Sequence, residues 1–195
     1  DENDPAYKNP TKPIGPFYSK EVAEERKKAL GWDVVEDAAR GYRRVVASPD
    51  PTEILQLEII KKNLELGLIV IANGGGGIPV VVKDGDIIGS EAVIDKDRSS
   101  ALLAKELGVD LFVISTDADQ VYLNFKKPNQ QGIRKATARQ MQHYYDEGHF
   151  PQGNMGPKIE SALRFLENGG HKAIITSYEY LKEALSENAG THIIP

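Results

Sequence analysis

The sequence predicts an α/β protein in which helices cover a mainly parallel sheet, preceded by a small α+β region. From Pro51 onward, short apolar runs alternate with stretches whose apolar residues recur at helical spacing. Before that point the chain is rich in proline, basic and aromatic residues, which sets it apart from the remainder. With 195 residues, 40% of them hydrophobic, the chain can bury a substantial core.

Residues 1–47 are predicted to form the smaller domain. Four prolines between positions 5 and 16 favour extended, irregular backbone over helix. Ser19 is predicted to cap a short helix that Gly31 ends, and two short strands are expected at 32–36 and 43–47. The segment 48–51 is a linker, so the larger domain is predicted at 48–195.

In the larger domain, residue patterns predict a series of alternating helices and strands. Apolar spacing predicts a helix that stops at Gly67, and the nearly all-apolar run 68–72 predicts a strand buried on both faces. A hairpin follows at 80–88, with its turn at Asp84-Gly85 or Gly85-Asp86. The remaining predicted elements are a helix at 98–107, a strand at 111–115, helices at 136–147 and 157–167, a strand at 173–176 and a helix at 178–187.

Composition excludes several classes of function. The net charge of -5 gives no general attraction for nucleic acid or anionic membranes. The absence of cysteine excludes disulfides, thiolate metal sites and a cysteine nucleophile, and the histidines show no metal-ligand spacing. No apolar run is long enough to span a bilayer, and the first residues lack the features of a signal peptide. A soluble, cytoplasmic protein without a protein-held metal is expected.

One stretch combines two features that suit a phosphate site. The four glycines Gly74, Gly75, Gly76 and Gly77 can present bare backbone N–H groups, and Lys96 is flanked by Asp95 and Asp97. A hairpin rather than a helix follows the glycines, so they form neither a dinucleotide fingerprint nor a P-loop. The alternatives are a tight turn for the glycines and a solvated surface run for the charged triplet.

Two further lysines are candidates for anion binding. Lys158 follows Gly153-Asn-Met-Gly-Pro, with Pro157 predicted at the first helical position, where the helix dipole disfavours a cation. A phosphate bound at this helix start would explain the lysine. Lys12 lies between two prolines that stiffen the backbone and aim its side chain. The alternatives are a solvent-facing lysine on a loop and an ordinary extended linker.

Several motifs together carry a resemblance to a known family. They are NPTKPIGPFY, EDAARGYRRVVASPDP, ANGGGGIPVV, AVIDKD, EGHF followed by GNMGPK, and the closing GTHIIP. In these motifs, in their order and in their approximate spacing, the chain resembles the carbamate kinases of the amino-acid kinase family over essentially all 195 residues.

The resemblance implies a three-layer αβα sandwich with a protruding lid, a homodimer, and reversible phosphoryl transfer between ATP and carbamate that requires Mg²⁺. It implies a cytoplasmic enzyme of arginine metabolism, in the arginine deiminase pathway. Lys12 would lie on the lid, Lys96 and Lys158 would contact the nucleotide phosphates, and Asp97 would orient the lysines. Gly74–Gly77 and Asp95 would lie near the phosphates, and Asp117, Tyr122 and Met155 would contact the nucleotide.

The family's two upstream glycine-rich loops have no counterpart in the chain, which is therefore expected to be the C-terminal portion of such an enzyme and to expose apolar sheet surface. Position 154 is Asn where many relatives have Ser. Two alternatives remain open: a non-catalytic nucleotide-binding fragment, and a sister amino-acid kinase acting on another acid. The PTKP motif argues against the second alternative, because in this resemblance it is particular to the carbamate branch.

Overall fold

The computed structural model describes residues 1–37, 40–151 and 154–195. Its backbone divides into two compact units, Asp1–Thr52 with Gly74–Lys96 and Glu53–Asn73 with Asp97–Pro195. The predicted α/β class is confirmed, and the segment Gly74–Lys96 belongs to the same unit as the N-terminal region.

The helices and strands follow one another in this order along the chain. They are β1 (Lys12–Tyr18), α1 (Lys20–Leu30), β2 (Asp33–Glu36), β3 (Tyr42–Val46), α2 (Leu57–Glu65), β4 (Val80–Lys83), β5 (Asp86–Gly89), α3 (Lys96–Leu107), β6 (Leu111–Thr116), β7 (Val121–Leu123), β8 (Gln131–Ile133), β9 (Lys135–Thr137), α4 (Ala138–Asp146), α5 (Met155–Glu167), β10 (Lys172–Ser177), α6 (Leu181–Leu185) and β11 (Thr191–Ile194). Short 3₁₀ helices cover Pro5–Tyr7 and Tyr178–Tyr180.

The first unit contains an antiparallel sheet of order β1-β3-β2. Helix α1 begins and ends as predicted, because the Ser19 hydroxyl accepts a hydrogen bond from the Val22 amide and Gly31 takes a left-handed conformation with φ +66°. The β4–β5 hairpin also forms as predicted, with Asp84 and Gly85 both at positive φ, as a tight two-residue turn requires.

The second unit is built on a four-stranded sheet of order β6-β10-β11-β9. Strands β6 and β10 run parallel, as do β11 and β9, whereas β10 and β11 are antiparallel. The sheet is therefore mixed, and its antiparallel pair arises from β11, a strand that the sequence did not predict. The core of the second unit lies between this sheet and helices that include α4 and α5. The predicted apolar stripe of α5 is buried in this core: Ile159, Ala162, Leu163 and Leu166.

The predicted strand at 68–72 is wrong. The segment has no strand assignment, and Ile69 and Ile71 are 97% and 96% exposed. A strand forms only where a neighbour satisfies its backbone N–H and C=O groups, and within the described residues no strand pairs with this segment. Apolar composition predicted the strand, but composition does not supply a partner.

Other differences are smaller. Strands β1, β7, β8, β9 and β11 were not predicted, because three of them have only three residues and β1 contains two prolines. Helix α5 begins at Met155, so Pro157 is its third residue and not its first. No helix in the described ranges is both long enough and apolar enough to cross a membrane.

Candidate phosphate and nucleotide sites

The first predicted lysine, Lys12, is held by a buried carboxylate. Lys12 is the first residue of β1, and its Nζ lies 2.5 Å from Oδ2 of Asp95. The side chain of Asp95 is only 9% exposed, and that of Lys12 is 33% exposed. The pair joins residues that are 83 positions apart and lies wholly within the first unit. The ion pair with Asp95 fixes the position of the Lys12 ammonium group, which would otherwise move freely with its long side chain.

The second lysine, Lys158, forms an even more buried pair. Its Nζ lies 2.9 Å from Oδ2 of Asp97, and the two side chains are 9% and 10% exposed. Asp97 lies in the first turn of α3 and Lys158 near the start of α5, so the ion pair joins two helices of the second unit. A buried charge is tolerated when it is paired, which accounts for Lys158 at a helix start that disfavours cations.

The triplet Asp95-Lys96-Asp97 therefore holds two distant lysines. Asp95 pairs with Lys12 and Asp97 pairs with Lys158, one pair in each compact unit, while Lys96 itself is exposed at the start of α3. This excludes the alternative that the triplet is a solvated surface run, because both of its carboxylates are buried.

The glycine run forms a turn beside the same triplet. Gly74, Gly76 and Gly77 have positive φ values of 49°, 136° and 92°. A Cβ atom on Gly76 would lie 2.1 Å from the carbonyl oxygen of Ile94, the residue before Asp95. Only glycine fits there. Both segments belong to the first unit, so the glycine turn lies directly against the backbone that leads into the triplet.

The three predicted nucleotide contacts line one cavity. Asp117, Tyr122 and Met155 surround a cavity of about 420 Å³ within the second unit. The fold thus brings the three residues together, although they come from three separate segments. The other lining residues are Ala118, Asp119, Gln120, Phe125, Lys126, Gln130, His149, Phe150, Pro151 and Asn154.

Aromatic rings and a cation line this cavity. The rings of Tyr122 and Phe125 lie 6.1 Å apart, and the ammonium of Lys126 lies 5.4 Å from the centroid of the half-exposed Phe125 ring. Such rings offer a face for a base, and Lys126 offers a cation for a phosphate. Sequence reasoning missed Phe125, Lys126 and His149. The sequence NFKKPNQQ, an aromatic residue followed by two lysines, was the available signal.

Hydrogen bonds fix the hydroxyl group of Tyr122. It donates to both carboxylate oxygens of Asp119, at 2.9 and 3.1 Å, and accepts from the Gln120 side-chain amide at 3.3 Å. The hydrogen bond from Gln120 lowers the pKa of Tyr122, but desolvation and the Asp119 carboxylate outweigh it and raise the pKa above its ordinary value. Tyr122 is therefore a neutral phenol at physiological pH, with its ring held in the cavity wall.

Helices α3 and α5 share a second charged contact that the sequence did not reveal. Arg98 lies 3.2 Å from Glu160, which also pairs with Arg164 at 2.6 Å along α5. Together with the Asp97–Lys158 pair, this contact fixes the start of α5 against α3. Gly153, part of the predicted anion loop, lies outside the described residues, whereas Asn154 precedes the helix without a side-chain cap.

A model of the amino acid kinase family matches residues 19–177, which is most of the chain. The chain belongs to the amino acid kinase family. Within this family, it is 49% identical over its whole length to the carbamate kinase of Pyrococcus furiosus and 51% identical to a carbamate kinase-like protein of Escherichia coli. The structure of carbamate kinase from Giardia lamblia bound to AMP-PNP matches all of the chain with a TM-score of 0.88 and 39% identity.

The predicted resemblance to the carbamate kinase branch of the amino acid kinase family is thus confirmed. The chain spans 62% of the length of each of these three relatives. The Giardia protein binds AMP-PNP, an ATP analogue, in its solved structure.

Proposed function

We propose that this chain carries the nucleotide-binding and phosphate-binding groups of a carbamate kinase, which transfers a phosphoryl group reversibly between ATP and carbamate to give ADP and carbamoyl phosphate. The observation that carries the proposal is the pairing of Lys12 and Lys158 with the two carboxylates that flank Lys96. The similarity to carbamate kinases over the whole chain supports the choice of carbamate as the acceptor.

Phosphoryl transfer suits this arrangement of groups. The reaction requires alignment of donor and acceptor, and it requires cations where negative charge spreads over the moving phosphoryl group. In the proposed mechanism, the roles follow the resemblance: Lys96 and Lys158 contact the nucleotide phosphates, and Lys12 is the lysine of the lid. Asp97 orients Lys158, because it holds that ammonium at 2.9 Å. The backbone N–H groups of Gly74–Gly77 face the transferring group.

The base and ribose of the nucleotide are assigned to the cavity lined by Asp117, Tyr122 and Met155. A base would pack against the rings of Tyr122 and Phe125, and the ammonium of Lys126 supplies positive charge beside the Phe125 ring. All of these residues belong to the second unit, so binding of the base and ribose is expected to depend on that unit's own fold.

Magnesium is proposed to arrive with the nucleotide. The described residues contain no group of three or more His, Cys, Asp or Glu side chains placed to hold a metal ion. Mg²⁺ ordinarily keeps several waters and binds through substrate phosphates with only one or two carboxylates, so it does not need a group of three such side chains. When bound, the ion neutralises phosphate charge. The homodimer, the cytoplasmic location and the place in the arginine deiminase pathway are also proposed, and they rest on the resemblance alone.

The decisive experiment measures binding and turnover separately. Binding of ADP with Mg²⁺ to the 195-residue chain is measured by calorimetry, and ATP formation from ADP and carbamoyl phosphate is measured with a luciferase assay. Binding with turnover supports the kinase. Binding without turnover supports the second candidate, a nucleotide-binding fragment, which is favoured by the fact that the chain spans 62% of its relatives. Turnover with acetylglutamate or UMP but not with carbamate would contradict the choice of acceptor.

Lys96 provides the sharpest mutational test of the mechanism. In a preparation with turnover, Lys96→Ala is expected to lower kcat by about 10²–10³, because it removes a positioned charge at the transition state. Lys105→Ala is the matched control, since Lys105 lies on the same helix, is similarly exposed, and pairs only with the adjacent Glu106 among the described contacts. An unchanged rate for Lys96→Ala would refute the role given to Lys96.

A further inference from the structure

Two ion pairs of opposite polarity join the beginnings of helices α3 and α5. Asp97 of α3 pairs with Lys158 of α5, and the next residue of α3, Arg98, has its Nη2 atom 3.2 and 3.4 Å from the two carboxylate oxygens of Glu160. All four residues belong to the second unit. The side chains of Arg98 and Glu160 are 27% and 22% exposed, so their pair is better shielded from water than a fully exposed one.

The two pairs hold α5 from different directions. An α-helix turns about 100° per residue, so the side chains of Lys158 and Glu160 leave the helix roughly 200° apart. Apolar packing holds α5 in the core, but that packing is not directional. With the Asp97 pair alone, the start of α5 could turn about its own axis and carry Lys158 with it. The Arg98–Glu160 pair, on another side of the helix, opposes this rotation.

The start of α5 lacks a feature that commonly fixes a helix end. Asn154, the residue before the helix, makes no side-chain cap, and Gly156 in the first turn has no side chain to pack. Lys158 carries its charge on a flexible four-carbon chain. The position of its ammonium group therefore depends on contacts between α5 and its neighbours, and Glu160 makes a charged contact of this kind.

We propose that Glu160 is a positioning residue for Lys158. Glu160 holds Arg98, this contact fixes the rotation of the start of α5, and the Lys158 ammonium thereby keeps the place beside Asp97 from which it serves the nucleotide phosphates. Glu160 itself does not touch the nucleotide. The inference rests on the proposed function in one respect, which is the contact of Lys158 with phosphate.

The negative charge of Glu160 gives the proposal a distinctive sign. A carboxylate that acted directly on the phosphates would repel them, so its removal would tighten ADP binding. A positioning carboxylate has the opposite effect, because Lys158 loses its alignment when the carboxylate is removed. Adenosine carries no phosphate, so its affinity should not depend on Lys158. The ratio of the ADP affinity to the adenosine affinity therefore reports the phosphate contacts.

The test measures this ratio by calorimetry with the 195-residue chain, adenosine, and ADP with Mg²⁺. Glu160→Gln and Arg98→Gln are each expected to lower the ratio about tenfold, and the double variant should lower it no further, because both changes remove the same contact. Arg98→Lys keeps the charge and should restore the ratio to within about threefold of the unmodified chain. Arg164→Gln is the matched control, since it removes the other partner of Glu160, 2.6 Å away within α5, and leaves the contact with α3.

A second measurement needs no nucleotide. Lysine acetylation by acetic anhydride is followed by mass spectrometry at Lys158, whose side chain is 9% exposed, with the 44% exposed Lys105 as internal standard. Glu160→Gln is expected to raise the rate at Lys158 at least about fivefold, because an ammonium group that leaves its buried partner becomes accessible, whereas Arg164→Gln should not.

The two measurements separate this proposal from the proposed function. If the unmodified chain failed to bind ADP, the proposed function would fail, and the acetylation rate of Lys158 would still decide the positioning role. An unchanged or raised affinity ratio in Glu160→Gln would overturn the proposal. So would an unchanged acetylation rate at Lys158, or an equal effect of Arg164→Gln in either measurement.

Discussion

At the scale of single residues, the buried pair of Asp97 and Lys158 joins helices α3 and α5 of the second unit. Each side chain is no more than 10% exposed, so each charge helps to offset the cost of burying the other. Removing Asp97 leaves the Lys158 ammonium buried without this carboxylate, which costs much more than the pair itself contributes. Stability and activity should therefore respond differently to single and double substitutions.

Asp97→Leu alone is expected to lower the free energy of unfolding by about 3–5 kcal/mol, because the Lys158 ammonium stays buried without its partner. The double variant, Asp97→Leu with Lys158→Met, should recover most of that loss, since both charges are gone. Neither variant should recover turnover. Urea unfolding and the ATP-formation assay measure the two effects. If the double variant were active, the proposed role of Lys158 at the phosphates would be wrong.

The residue type at position 76 is restricted to glycine by a close backbone contact, and Gly75 provides the control. Gly76→Ala places a Cβ atom 2.1 Å from the Ile94 carbonyl oxygen at a φ of 136°, so the loop must shift. A loss of at least about 2 kcal/mol in unfolding free energy is expected. Gly75 has open space around its Cβ position, and Gly75→Ala should change stability by less than about 1 kcal/mol. Similar losses for both variants would show that the close approach is not the cause.

At the scale of elements, local signals predicted the helices better than the strands. Helix α1 has its serine cap and its terminal glycine in the sequence, so its bounds could be given almost to the residue. Strands β7, β8 and β9 have three residues each, too few to show a periodicity. The run 68–72 had the composition of a strand but no partner within the described chain, and partners are a property of the whole fold.

Helix α4 begins with a capping box, a local sequence signal that stabilises the helix start. The Thr137 hydroxyl accepts a hydrogen bond from the Gln140 amide, and the Gln140 side chain accepts one from the Thr137 amide. Thr137→Ala should lower the free energy of unfolding by about 1 kcal/mol, and Thr137→Ser should be nearly neutral because the hydroxyl remains. Thermal unfolding of the two variants measures the difference. An equal loss in both would mean that the methyl group, and not the cap, stabilises this helix.

At the scale of the whole chain, the candidate site could be predicted in its parts but not in its pairings. Lys12, Lys96, Asp97 and Lys158 each stood out because of the residues next to them. The partners of Lys12 and Lys158 lie 83 and 61 positions away, and no local pattern specifies which carboxylate meets which lysine. The Arg98–Glu160 contact was missed for the same reason.

The exposed apolar residues of the second unit are also a property of the whole chain. Ile59, Leu64 and Leu66 on and after α2, together with Ile69 and Ile71, are between 42% and 97% exposed, within a stretch of only 13 positions. Clustered apolar surface in an extended, unpaired segment promotes association with other chains. The 195-residue chain is therefore expected to bind the dye ANS and to self-associate as its concentration rises.

Two lysine substitutions test the source of this association. Ile69→Lys with Ile71→Lys should weaken self-association at least about tenfold and reduce ANS fluorescence, because both side chains are almost fully exposed and their replacement removes no core contact. Ile87→Lys with Ile88→Lys, on strand β5 of the other unit, is the control with the same gain in charge. Sedimentation velocity at several concentrations measures the association. Equal suppression by the two double variants would show that added charge, rather than the segment 68–72, governs it.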